Sequence, residues 1–348
     1  MPAPADIYSG APVADVPADL MVTRMPSSLT RTRIARWAAC LAAAALVTAP
    51  SRAADGQAAD VERFAYDAAS DLDVRLTPIE EPPGARVYDV SYASPKGGRV
   101  TALLVTPRES PPSRRFAGVL FGHWGGGDRS EFLPEAILYA RAGVVSLLPA
   151  YPWTRPAPWR NALRYFEDPP HDLDVQIQAI VDLRRGFDLL IARPDVDRAR
   201  LGYVGHSFGA QFGAILTAVD RRMKAAVLAA GTPTMAAIWL EGDDPDLVAF
   251  RSKEPQLVEK RISTLAPLDA IRFVGRAAPI PLLFQFARYD QNIPKAAAER
   301  YYEAASSPKE IRWYPTAHDL NDPQAVADRA AWLGRRLGFG RVNLPASR

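Results

Sequence analysis

The chain has 348 residues, of which 48% are hydrophobic, so it is long enough to bury a full core. Its net charge is +3, and residues 1–53 hold five arginines and three aspartates, which leaves 37 basic and 36 acidic side chains, or +1, in the rest of the chain. This balance excludes the strongly basic surface of a nucleic-acid-binding protein. The single cysteine, Cys40, lies in a segment predicted to be removed, so the remaining chain has neither a disulfide nor a thiolate metal site.

The N-terminal segment has the three-part pattern of a secretory signal peptide. Residues 31–36 are basic, residues 37–49 are apolar, and Ser51 and Ala53 place small side chains around a cleavage site. The pattern predicts an N-terminal extension and signal peptide within residues 1–53, the signal itself covering about residues 25–53, and a secreted or periplasmic protein. The apolar run is too short to span a bilayer comfortably, so we expect no stable membrane insertion after cleavage. An uncleaved anchor is the alternative.

After a lead-in over residues 54–84, the pattern predicts one domain over residues 85–340. Two β-rich runs flank residues 95–98 and predict a hairpin, after which strand and helix patterns alternate. The alternation predicts an α/β fold with a mostly parallel central sheet flanked by helices. The predicted strands are residues 85–94, 100–107, 116–121, 143–149, 201–204, 225–230, 280–286 and 310–314. The predicted helices are residues 131–142, 172–192, 296–305 and 323–337, with one more after residue 209.

Two stretches interrupt this alternation. Residues 151–170 carry Trp153 and Trp159 among five prolines, and residues 232–274 combine Trp239 with an acidic run and a basic run. Both follow the carboxyl ends of strands, where open α/β sheets bind ligands. We therefore predict cap-like inserts and assign Trp153 and Trp159 to substrate binding. The alternative is that both are solvated insertions whose aromatic side chains pack on their own base.

The pattern Gly-x-Ser-x-Gly occupies residues 205–209, between a strand and a helix. In this context it predicts a sharp turn that lifts a strained Ser207 clear of the sheet. Gly205 and Gly209 lack a Cβ and therefore allow close passage of neighbouring backbone. The N–H of Phe208, at the start of the helix, is predicted to bind an oxyanion formed on a substrate carbonyl. An incidental serine in a glycine-rich junction is the alternative.

A nucleophilic serine needs a base, and the chain has four histidines. His206 adjoins Ser207 within the turn, where it points elsewhere, and it is assigned to substrate binding. His171 opens a helix and has a surface or capping role, whereas His123 follows a buried strand. This elimination leaves His318, just after the last predicted strand, as the candidate base.

The orienting acid is expected after a strand between the serine and the base in chain order. Asp290 satisfies this condition, and its carboxylate would hold the tautomer of the His318 imidazole. A turn or helix-capping aspartate is the alternative. Asp319 is the nearest rival, but it adjoins His318 and would have to fold back on its neighbour.

A run of glycines follows His123 and Trp124, and glycines let backbone N–H groups turn toward a ligand. We predict that this loop faces the serine turn and completes an oxyanion hole. The first oxyanion donor is the N–H of Phe208. We assign the second donor to the N–H of Gly125, with the N–H of Trp124 as its rival. A phosphate-binding loop is the alternative, but neither a Lys-Ser/Thr ending nor Gly-x-Gly-x-x-Gly is present.

These motifs, in the order His-x-Gly-Gly-Gly, Gly-x-Ser-x-Gly, Asp and His, resemble the α/β-hydrolase superfamily. Within it, the chain is similar to the branch of dienelactone hydrolases, acetyl xylan esterases and prolyl-oligopeptidase-like hydrolases, over roughly residues 88–337. The resemblance implies the α/β-hydrolase fold and its catalytic machinery, which one fold reuses for many substrates. The sequence departs from the family at Trp124, where glycine is usual, and at Ser207, where dienelactone hydrolases have cysteine. The serine favours plain ester hydrolysis.

The sequence therefore predicts a secreted serine esterase acting on a small-molecule ester, with Ser207, Asp290 and His318 as its triad. No cofactor, metal or nucleic acid is expected. Alternatives are a small amidase or peptidase of the same fold, an acyltransferase, and a non-catalytic binding protein. The third is disfavoured because such proteins typically lose a triad residue.

Overall fold

The computed structural model of the protein describes residues 60–109, 111 and 114–344, so the predicted signal peptide lies outside the described residues. Nine strands form one sheet in the order β1-β2-β3-β5-β4-β6-β7-β8-β9. The strands are β1 (Arg75–Glu80), β2 (Ala85–Ala93), β3 (Arg99–Pro107), β4 (Phe116–Gly122), β5 (Val144–Pro149), β6 (Val196–His206), β7 (Ala225–Ala229), β8 (Leu282–Ala287) and β9 (Lys309–Tyr314).

The sheet is antiparallel at one end and parallel over the rest. β1, β2, β3 and β5 pair antiparallel in that order, and every other pairing, from β5 to β9, is parallel. Each residue of β4, β5, β7 and β8 is buried, as expected for parallel strands covered on both faces. The mostly parallel sheet predicted from the sequence is thereby confirmed.

Helices cover both faces of the sheet. They are α1 (Leu133–Arg141), α2 (Pro169–Ala192), α3 (Phe208–Val219), α4 (Pro245–Lys253), α5 (Pro255–Leu265), α6 (Ile271–Val274), α7 (Lys295–Ala304) and α8 (Pro323–Leu337). One apolar core joins α2 and α3 to one face, and a second joins α1 and α8 to the other. Strand residues alternate between them: Leu120 belongs to the first core and Phe121 to the second.

The predicted hairpin is the β2–β3 pair, whose register runs from Ala93 opposite Arg99 to Ala85 opposite Pro107. Two features differ from the sequence prediction. β1 was not expected, because all six of its residues are exposed and its sequence shows no alternation. β6 begins five residues before the predicted strand, in a polar stretch that pairs with the start of β4.

The two inserts contact each other, and the first is mostly loop whereas the second is mostly helical. The first holds a 3-10 turn (Pro152–Thr154), and the second holds a π-helical turn (Ala237–Glu241) followed by α4, α5 and α6. The ring of Phe166 lies 5.0 Å from that of Trp239 and 4.5 Å from that of Phe250, centroid to centroid. Arg261 of the second insert donates to the Asp172 carboxylate of α2 at 2.7 Å, and both side chains are buried.

None of the helices in the described part of the chain is both long enough and apolar enough to cross a membrane.

Candidate active site

Ser207 lies in the turn between β6 and α3, with φ 53° and ψ −111°, which is the strained conformation the motif predicts. Close backbone contacts require glycine at the positions on either side of it. A Cβ on Gly205 would lie 2.3 Å from the carbonyl carbon of Gly209, and a Cβ on Gly209 would lie 2.1 Å from the oxygen of Gly122. Since Gly205 and Gly209 carry no side chain, β4 and α3 can pack closely against the turn. This packing holds Ser207 in place.

Three side chains from three strand ends form a continuous hydrogen-bonded chain. His318 Nε2 lies 3.0 Å from Ser207 Oγ, and His318 Nδ1 lies 2.8 Å from Asp290 Oδ2. The other Asp290 oxygen accepts the amide N–H groups of Asn292 and Ile293 at 2.9 Å each. A carboxylate can only accept, so Nδ1 carries a hydrogen in this contact, and the lone pair of a neutral ring faces the serine hydroxyl.

The charges around His318 favour its protonated form. Burial of the ring opposes protonation, but the Asp290 carboxylate, by its charge and its hydrogen bond, raises the pKa of His318 above its ordinary value. The Asp290 side chain is 2% exposed and that of His318 is 14% exposed. The pair is therefore largely shielded from water, and an imidazolium formed during a reaction would be stabilised by this carboxylate.

Asp319, the rival acid, points away from this chain of contacts. Its Oδ2 accepts the side-chain amide of Asn321 at 2.6 Å, and its residue is exposed. The geometry therefore brings Asp290, and not Asp319, to the imidazole Nδ1.

The glycine loop after β4 packs on the start of α3. A Cβ on Gly125 would lie 2.7 Å from the Phe208 ring, and the N–H of Gly209 donates to the His123 carbonyl at 3.2 Å. The N–H of Trp124 donates to Glu131 Oε2 at 2.7 Å and is engaged there. Among the described residues, the N–H groups of Gly125 and Phe208 have no hydrogen-bond partner. Of the two rival donors, Gly125 therefore remains the candidate for oxyanion binding.

His123 stabilises this loop through the hydrogen bonds of its ring. Its Nδ1–H donates to the Trp124 carbonyl at 2.6 Å, and its Nε2 accepts the N–H of Tyr151 at 3.2 Å. Burial lowers the pKa of His123 to about 4, so the ring is neutral at pH 7 and can play both roles. His171 opens α2 and contacts the carbonyl of Ala162, consistent with the surface role expected for it.

Two of the three predicted substrate-binding side chains are buried in supporting contacts, and their contact with a substrate stays a prediction. His206 is 5% exposed, and its two ring nitrogens contact Glu131 and the carbonyl of His318. Trp153 is 6% exposed and donates its indole N–H to the Gly125 carbonyl at 2.8 Å. Trp159 is 39% exposed and lies against Gly98 of the β2–β3 turn, where substrate contact stays a prediction.

Sequence reasoning missed Glu131, which contacts both the glycine loop and His206. It precedes α1 by two residues, and an acidic residue near a helix start is ordinary because the helix dipole favours it. Tyr203 was missed too; its buried hydroxyl donates to the Gly209 carbonyl at 2.7 Å. Neither residue has a local sequence signal, because each acts through a partner that only the fold brings near.

Within the described residues, no group of three or more His, Cys, Asp or Glu side chains is arranged to hold a metal ion.

Neither a protein-family model nor a curated protein sequence matches the chain, but solved structures do. An acetyl xylan esterase from Paenibacillus sp. R4 superposes with a TM-score of 0.63 at 18% identity, over 81% of this chain and 92% of that one. Acetyl xylan esterase 1 from Thermoanaerobacterium sp. JW/SL YS485 gives 0.62 at 16%, over 83% and 94%. The Pyrococcus furiosus esterase Pf2001 gives 0.55 at 15%, over 76% and 99%. With the sheet order described above, these likenesses show that the chain has the α/β-hydrolase fold that its motifs implied.

Proposed function

We propose that the protein is a secreted serine hydrolase that cleaves carboxylic esters, with Ser207 as nucleophile, His318 as base and Asp290 as orienting acid. One observation carries the proposal: the unbroken contact from Ser207 Oγ through both nitrogens of His318 to Asp290. The strained turn adds to it, because such strain recurs at functional sites. The structural neighbours named as esterases and acetyl xylan esterases support an ester substrate.

In the proposed reaction, Ser207 Oγ attacks the ester carbonyl carbon while His318 Nε2 accepts its proton. The carbonyl oxygen becomes an oxyanion and accepts the N–H groups of Phe208 and Gly125. His318 then protonates the leaving alcohol, and an acyl group stays on Ser207. A water molecule, deprotonated by His318, attacks the acyl carbon. The bond from that carbon to Ser207 Oγ then breaks, Oγ takes the proton back from His318, and the acid is released. Asp290 stabilises the imidazolium at each stage.

The substrate is proposed to reach Ser207 from the edge where the parallel strands end, beside the two inserts. The contact between the Phe166 and Trp239 rings joins these inserts and supports a cap formed by both. Export of the protein is proposed from the signal-like pattern over residues 25–53, as reasoned from the sequence.

The test is hydrolysis of p-nitrophenyl esters from acetate to laurate by the purified protein and its Ser207→Ala variant. Because no other group can take over the attack, we expect kcat to fall by roughly 10⁶-fold with the fold retained. Ser252, an exposed serine of α4, supplies the matched control, and Ser252→Ala should keep full activity. Substantial turnover by Ser207→Ala would overturn the proposal.

An amidase is the second candidate, since a prolyl endopeptidase structure superposes with a TM-score of 0.56 at 19% identity, over 76% of this chain. This chain spans only 40% of that neighbour's length. Parallel assays with p-nitroanilides decide between the two: Ser207-dependent release from anilides but not from esters would favour the amidase.

A further inference from the structure

A second group of hydrogen bonds lies beside the proposed triad, and the His206 ring of this group lies 5.6 Å from that of His318, centroid to centroid. The Glu131 carboxylate contacts two residues at once: Oε1 lies 2.7 Å from His206 Nδ1, and Oε2 accepts the N–H of Trp124 at 2.7 Å. On the other side of its ring, His206 Nε2 lies 2.9 Å from the main-chain oxygen of His318. The Glu131 side chain is 20% exposed and that of His206 is 7% exposed.

The partners of His206 fix where its hydrogens lie. A carbonyl oxygen can only accept, so Nε2 carries a hydrogen in its contact with His318. Nδ1 faces a carboxylate, and a 2.7 Å contact between them requires one shared hydrogen, carried by the ring or by Glu131. His206 and Glu131 therefore form a pair with no net charge, joined by a strong hydrogen bond.

Each end of this group adjoins a group that the proposed reaction uses. Trp124 precedes Gly125, His206 precedes Ser207, and the third contact is made to the main chain of His318 itself. The Trp124 carbonyl accepts from His123, and in a planar trans peptide the following N–H points the opposite way. With its amide on Glu131 and its carbonyl on His123, Trp124 fixes the direction of the Gly125 N–H.

We propose that Glu131 and His206 are positioning residues of the reaction. They hold the oxyanion donor Gly125, the nucleophile Ser207 and the base His318 in fixed positions relative to one another. The inference rests on the proposed function of Ser207. Errors of about 1 Å in such a constellation reduce rates by about 100-fold, even when the substrate still binds. The pair acts through main-chain contacts, so its loss should lower kcat far more than it changes KM.

Glu131→Gln is a conservative substitution that keeps every hydrogen bond of this group. In Glu131→Gln, the amide oxygen accepts the N–H of Trp124, and the amide N–H₂ donates to Nδ1 of a neutral His206. The Nε2–H of that ring still donates to the His318 carbonyl. Glu131→Ala removes both contacts of Glu131, Glu131→Asp is one methylene too short to make both, and His206→Phe keeps a ring but has no donor.

The experiment compares these four variants with wild type in two assays: steady-state kcat and KM on the preferred p-nitrophenyl ester, and the rate of Ser207 labelling by a fluorophosphonate. We expect kcat to fall about 10- to 100-fold in Glu131→Ala and His206→Phe, and about 10-fold in Glu131→Asp, with KM changed less than about threefold. Glu131→Gln should stay within about threefold of wild type in both assays. The double variant Glu131→Ala/His206→Phe should lose less activity than the product of the two single losses, because both single variants remove the contact between Glu131 and His206.

A control separates positioning from the general stability of the loop. Asp128 lies in the same loop, caps Ser130 and has no hydrogen bond to Trp124 or His206, so Asp128→Ala should leave kcat unchanged. Thermal unfolding of each variant identifies any that fails to fold, and Glu131→Asp against Glu131→Gln then decides the question with the carboxyl or amide group retained.

Wild-type kcat in Glu131→Ala or Glu131→Asp would overturn the inference, as would a Glu131→Gln variant as slow as Glu131→Ala. In these cases wild type still depends on Ser207, and the proposed function stands. A wild-type protein that neither hydrolyses substrate nor is labelled at Ser207 would instead overturn the proposed function and this inference together.

Discussion

The serine turn and the paired inserts are held by contacts of different kinds. In the turn, Gly205 meets Gly209 four residues later, and Gly209 meets Gly122 at the end of the neighbouring strand β4. In the second insert, the Arg261 side chain donates to the Asp172 carboxylate of α2 and to the carbonyl of Tyr165 in the first insert. The turn is therefore set by close backbone packing at glycines, which a short motif records. The inserts depend on contacts made by side chains, which no motif records.

This difference in contacts suits the two regions to different tasks. The turn and the loops beside it can recur unchanged on one fold, because their shape needs only glycines, a strand and a helix. The inserts can vary with the chain, since only their mutual contacts have to be kept. Substrate choice is accordingly expected to follow the inserts, and the chemistry to follow the turn.

The largest effect concerns Asp290, the acid proposed to orient His318. Asp290→Asn keeps the size of the side chain but removes the acceptor that holds Nδ1–H, so kcat should fall by about 10⁴-fold. The measurement is kcat/KM on the preferred ester, with Asp319→Asn as the matched control. A damaging Asp319→Asn and a harmless Asp290→Asn would reverse the assignment.

The next effect concerns the stability of the inserts. Arg261→Met leaves the fully buried carboxylate of Asp172 without its cation, which should cost about 3–5 kcal/mol in the free energy of unfolding, measured with urea. Lys260→Met, at the exposed neighbouring position, should change it by less than about 0.5 kcal/mol. Replacing both partners by apolar residues should recover much of the loss. Equal unfolding free energies for the Arg261 and Lys260 variants would show that the ion pair does not hold the inserts.

The turn is predicted to fail by a steric route instead. Gly209→Ala places a methyl group 2.1 Å from the Gly122 oxygen, so the backbone must shift, at a cost of about 3 kcal/mol in unfolding free energy. Gly334→Ala in α8 is the control, because its added Cβ finds its first neighbour at an ordinary 3.4 Å. If Gly209→Ala were as stable as the control and fully active, close backbone packing at the glycines would not determine the turn.

The smallest effect is a displacement of the pH profile. His318 must be neutral to accept the serine proton, so kcat/KM falls as the pH drops through the pKa of His318. Burial opposes protonation, but the charge of Asp290 outweighs it and raises the pKa above 6.5, which moves this acid limb to higher pH. The limb should therefore have its midpoint above 6.5 in wild type, and in Asp290→Asn the remaining activity should show a lower midpoint. A wild-type midpoint below 6.5 would contradict this electrostatic account.

The difference between glycine packing and side-chain contacts also explains how far the sequence could be interpreted. Apart from the helices α4, α5 and α6 of the second insert, the order of strands and helices from residue 85 onward follows from periodicity, and the strain at Ser207 follows from glycine spacing. The contacts of Asp290 and His318 agree with the expected chain order. The burial of His206 and Trp153 could not be predicted, because a buried ring with engaged nitrogens has the same sequence signature as an exposed one, and their substrate contact stays a prediction. Glu131 could not be found, since its two partners are brought to it only by the fold.

Mapping a covalent adduct tests whether Ser207 is the nucleophile. The protein is treated with a fluorophosphonate, digested and analysed by tandem mass spectrometry, alongside Ser207→Ala. We expect a stable phosphonyl group on the Ser207 oxygen in wild type and none on the variant. Modification of another residue, or active protein whose Ser207 is never modified, would contradict it.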